Sequence, residues 1–91
     1  MTIKIGPNGP ISLRVESAAD HILVDLKTIS ALQGDGAVAA AHHDAQLAQG
    51  FAHDIIELRD NIVANINEVS YDVGLVGVIQ LEYLVAHHDY T

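Results

Sequence analysis

The sequence predicts a mainly α-helical fold with a short N-terminal β-hairpin, built as a helical hairpin or bundle and completed by oligomerisation. Three observations carry that expectation. Residues 3–16 alternate apolar and polar side chains around a Gly-Pro-Asn-Gly-Pro turn. From Ala37 to Val69 there is no proline, and apolar residues recur at steps of three and four. The chain has 91 residues, of which 49% are hydrophobic, and this suits one core in one domain spanning 1–91.

The hairpin is expected over 3–16. Ile3-Lys4-Ile5 and Ile11-Ser12-Leu13-Arg14-Val15-Glu16 alternate on either side of Asn8-Gly9, a pair suited to positive backbone angles. Pro7 and Pro10 remove donors and favour an edge position. A lone hairpin is marginal in water, so its isoleucines, Leu13 and Val15 must pack on helices or on strands from another copy.

Ser17 is read as an N-cap, opening a helix over 18–32. Ala19, Ile22, Leu23, Leu26, Ile29 and Leu32 keep helical spacing. Gly34-Asp35-Gly36 is expected to end it. A long helix then follows over 37–69. Positions 41, 45, 48, 52, 55, 59, 62, 66 and 69 step by fours and threes, carrying alanines and then aliphatics, with Arg59 interrupting them. Unbroken, it would be about 50 Å long, whereas a compact chain of this size has a radius of gyration near 12 Å. Either the helix breaks at Gly50, or it projects and another subunit covers it. Ser70-Tyr71-Asp72 reads as a turn. A last helix is expected over 73–86, with a strand as the alternative because valines favour sheets and Gly74 and Gly77 weaken a helix. Residues 87–91 read as a polar tail.

Twelve acids against four bases give a net charge of −8. Nucleic-acid backbones and anionic membranes are poor matches for that sign. The apolar run from Val73 to Val85 is interrupted by Gly74, Gly77, Gln80 and Glu82, and it falls short of the ~18–20 residues of a membrane span. Cytoplasmic residence is the expectation, with leaderless export or packaging in a particle as alternatives. The absence of cysteine removes disulfides, thiolate zinc sites and cysteine nucleophiles. No serine lies in a Gly-x-Ser-x-Gly setting, and no glycine pair is followed by Lys-Ser/Thr as in a phosphate loop.

The function this supports is non-catalytic protein association: a self-assembly, structural, adaptor or chaperone-like module. Its interface is assigned to Phe51, Ile55, Leu58, Arg59, Ile62, Ile66 and Val69, with a second copy or another protein as partner. No cofactor is expected. The rival is a divalent-metal protein or metalloenzyme. Six histidines are present, four of them in two His-His-Asp tripeptides, and His42, His43, His53, Glu57, His87 and His88 are the candidate ligands. Neighbouring helical residues diverge by about 100°, so one histidine of each pair reaches a common ion only after folding or dimerisation. A further alternative is an acidic inhibitor of a basic partner.

Overall fold

The computed structural model describes residues 5–87. Its elements are β1 (Ile5–Gly6), β2 (Gly9–Pro10), α1 (Leu13–Ala41), α2 (Ala45–Val73) and α3 (Leu75–Ala86). The fold is mainly helical with a two-stranded antiparallel hairpin, as the sequence predicts. In that hairpin Ile5 pairs with Pro10 and Gly6 with Gly9.

The hairpin is shorter than the expected 3–16, because its second half is already helix. Ser12, not Ser17, caps α1, and its Oγ accepts from the Val15 N–H at 3.3 Å. Leu13 is 65% exposed between the buried Ile11 and Val15, so the side chains do not alternate as on a strand; Ile11 and Val15 continue into Ala18, Ala19 and Ile22 at helical spacing. All five are buried together. Lys4 and the residues before it lie outside the described residues, as do 88–91.

α1 does not stop at 32. It runs through Gly34-Asp35-Gly36, whose backbones are helical. Glycine costs a helix interior about 1 kcal/mol relative to alanine, and burial of Ile29 and Ala39 on either side offsets that cost. The chain reverses instead at His42-His43-Asp44. His43 adopts φ 59°. Its N–H donates to Ala40 O at 3.0 Å, and the Asp44 N–H donates to Ala39 O at 2.9 Å. These are the paired bonds of a left-handed helix terminus, with histidine in the place usually taken by glycine. Asp44 then caps α2, its Oδ1 accepting from the Leu47 N–H at 3.1 Å.

The long helix expected over 37–69 is therefore two elements, and the break is not at Gly50. Gly50 sits exposed inside α2 with nothing near its missing Cβ. The expected turn at 70–72 is also helix, since α2 continues to Val73. The break falls at Gly74, whose φ of 84° favours glycine. After it, 75–86 is helix rather than strand.

α1 and α2 are antiparallel partners of equal length. At 29 residues each they span about 43 Å, and the molecule measures 50 × 28 × 19 Å with a radius of gyration of 16.0 Å. α3 has 12 residues, about 18 Å, and folds back over one end of that pair. The hydrophobic core lies there: Ile11, Val15, Ala18, Ala19 and Ile22, with Val69 from α2 and Leu81 and Leu84 from α3. Gly77 allows α3 to approach, since a Cβ on it would meet Val73 Cβ at 2.6 Å and Val69 Cγ1 at 3.2 Å. No helix among the described residues is long and apolar enough to cross a membrane.

Candidate functional site

Core residues on α2 keep the expected seam at Ala48, Ile55, Ile62, Ile66 and Val69 and depart from it by one residue at Phe51 and Leu58. Phe51, Ile55, Leu58, Ile62 and Ile66 are half-buried and Val69 is fully buried, whereas Ala41, Ala45, Ala52 and Arg59 are exposed. The helix turns Phe51 and Leu58 toward α1, and Phe51 Cβ lies 3.6 Å from the position a Cβ would take on Gly36. Arg59 thus does not interrupt a seam. It stands on the flank, next to Ile55 and Ile62 at helical spacing.

The interface residues assigned from sequence are thereby divided. Val69, at 0% exposure, is consumed in the chain's own core. Ile62 and Ile66 pack at its edge. Phe51 and Leu58 face α1 in the half of the hairpin that α3 does not reach. Ile55 and Arg59 continue the Ile62–Ile66 stripe beyond the end of α3.

Where α3 ends, the three helices enclose an apolar groove of about 310 Å³. Ile22 and Leu26 form one wall, Ile62 and Ile66 another, and Val78, Leu81 and Val85 the third; Glu82 stands at its rim. Leu26 is 40% exposed there. Sequence reading assigned Ile62 and Ile66 to an interface but not Ile22, Leu26 or the α3 wall. Their periodicity signals burial, and the short reach of α3 that leaves them open is a tertiary property. The opposite side of the α1–α2 pair is more acidic. Toward the packed end its groove is lined by His21, Asp25, Asn61, Asn65 and Glu68 along with Val24 and Ala64, and toward the turn Val38, Leu47 and Phe51 stand beside Asp35 and Asp44.

The metal candidates are dispersed. His42 and His43 occupy the α1–α2 turn, exposed. His53 and Glu57 do meet, Nε2 to Oε1 at 3.3 Å, on an outward and well-solvated stretch of α2. The His87 ring stacks on Tyr83 with centroids 4.3 Å apart, and its Nδ1 donates to Tyr83 O at 2.8 Å. Leu26, level with the end of α3, is 16 residues from His42, so the turn and His87 are roughly 24 Å apart along the helix axis. His88 lies outside the described residues. Among the described residues no three histidine or carboxylate side chains converge on one point.

One cluster went unforeseen. Arg14 donates from Nε to Asp72 Oδ2 and from Nη2 to Glu68 Oε2, each at 3.0 Å, and so ties the start of α1 to the end of α2. The sequence offers only helical spacing of the two acids as a hint. Comparison with known protein families, with curated proteins and with solved structures finds no match to this chain.

Proposed function

We propose that the protein is a non-catalytic association module whose docking surface is the α3-side face of the α1–α2 hairpin, from the apolar groove outward to the turn. The observation that carries this reading is the mismatch of helix lengths. α3 spans 12 residues while its two partners span 29, so a third layer covers less than half of the pair. In the uncovered half, α1 buries just Ile29 and Ala39 among the described residues, and α2 buries none of its side chains fully. A two-helix ribbon with one packed seam leaves apolar area on its flanks, and such a surface is what a third or fourth helix covers in bundles.

The uncharged, small-residue character of the open face supports the reading. From Leu26 it runs through Ser30 and Gln33 to Ala37 and Ala40 on α1, with Ala48, Ala52 and Ile55 on α2 and His43 and Gln49 beside them near the turn, and Arg59 provides a long stem with a charged tip for a partner's carboxylate or carbonyl. The acids concentrate elsewhere, where they keep the chain soluble.

A photo-crosslinking residue placed at Ala52, in cells that make the protein, tests this. The expected result is a discrete covalent adduct from position 52 and none from position 61 on the opposite side. Absence of an adduct at 52, or equal adducts at both positions, contradicts it.

A further inference from the structure

We infer that the partner seated on this face is a second copy of the chain, packed about a two-fold axis so that the open halves of two hairpins close into a four-helix bundle. The inference rests on the docking face proposed above and names its occupant.

Area is the first argument. A specific interface buries at least ~1,000 Å² over both partners. The 17-residue difference between 29 and 12 corresponds to about 25 Å of helix, and two helices side by side are about 20 Å wide. Each copy therefore offers roughly 500 Å² in projection, and two copies together reach the ~1,000 Å² that marks a specific interface.

Shape and charge select a copy of the same chain. A two-fold axis through the middle of the strip lays each open half on the other, and each turn then abuts the end of the partner's α3. The two gaps left by two short third helices are filled by the same operation, and no surface is left to propagate a filament. Two chains each carrying −8 repel one another on most faces. The side holding Asp25 and Glu68 would oppose carboxylate to carboxylate. On the α3 side, the strip from Ala37 and Ala40 on α1 to Ala48, Ala52, Ile55 and Arg59 on α2 carries a base and no acid. Like-charged copies can meet there without apposing carboxylates. The apolar groove of Ile22, Leu26, Ile62, Ile66 and Val85 adjoins the strip and continues the contact.

Sedimentation equilibrium of the purified full chain, run as a concentration series up to about 1 mM, tests the inference together with three variants. The parent is expected at twice 9.7 kDa. Ala52→Glu and Ala37→Glu place exposed, helix-compatible acids on the strip, and each should weaken association at least about tenfold while helical circular dichroism is unchanged. Asn61→Glu, on the opposite side, should leave the parent mass in place. A monomer throughout the series overturns the inference, as does a dimer that tolerates both alanine variants. The crosslink at position 52 separates the two levels of failure. An adduct of another mass beside a monomeric purified chain removes the second copy but keeps the docking face, and no adduct removes both.

Discussion

Gly77, Val73 and Gln80, near the α2–α3 junction, show how little freedom the packed end retains. At Gly77 an added methyl would lie 2.6 Å from Val73 Cβ and 2.8 Å from Val73 Cγ1. Val73 is branched at Cβ and cannot swing these atoms away, so the helices must move apart. Gly77→Ala should therefore destabilise by about 1–2 kcal/mol in chemical denaturation, even after alanine's helix preference is credited. Gly50→Ala meets no neighbour within 4 Å and should stabilise by about 0.5–1 kcal/mol. Equal effects at the two glycines would contradict the close approach of α3. Gln80 is 3% exposed, and its Nε2 donates to Pro10 O at 3.2 Å and to Gly9 O at 3.4 Å, pinning the hairpin to α3. Gln80→Leu leaves those carbonyls without their donor and should cost about 1–3 kcal/mol. Amide exchange at residues 5, 6 and 9 should accelerate first. Exchange that is unchanged there would mean the hairpin is held by other contacts.

At the level of elements, the α1–α2 turn decides the architecture. Asp44 supplies the cap, and Asp44→Ala should lower stability by about 1 kcal/mol. The measurement is again a denaturation midpoint; an unchanged value would show the turn to be set by packing alone. This turn also explains what the sequence disclosed and what it concealed. The helical stretch 45–69 and the apolar spacing of Ile55, Ile62, Ile66 and Val69 were legible because periodicity is local. The helix boundaries were not. Gly34, Gly36 and Gly50 carry strong breaking signals, yet α1 and α2 run through them, since flanking contacts outweigh about 1 kcal/mol each. The real reversal uses His43 in a left-handed conformation, a role that histidine fills seldom enough for glycine to look the better candidate. The cap lies at Ser12, five residues before the expected Ser17, because the helix already runs at Val15 and buries it with Ala18, Ala19 and Ile22. The seam's phase was misplaced by one residue at Phe51 and Leu58 because Ala52 and Arg59 share the same three-four stepping. The candidate site was legible only in part: its α2 residues came from periodicity, but α3's failure to cover the distal hairpin is visible only in three dimensions.

For the whole molecule, elongation is the property that calls for a physical account. A radius of gyration of 16.0 Å exceeds the ~12 Å of a compact chain of this length, because two 29-residue helices project past the short third one. The buried cluster stabilises one end, while the other end relies on a single helix–helix seam, with Ile29 and Ala39 as its buried residues. Cooperative stability should follow that division, with the open end exchanging through local unfolding at lower free energy than the packed end.

Amide hydrogen exchange at two protein concentrations reads this division most directly. At low concentration, residues 27–41 and 45–58 should exchange much faster than 13–26, 62–73 and 75–86. At high concentration, the first two segments should gain protection while the others stay as they were. Uniform protection along both long helices, the same at either concentration, would contradict the claim that the distal hairpin is an uncovered docking face.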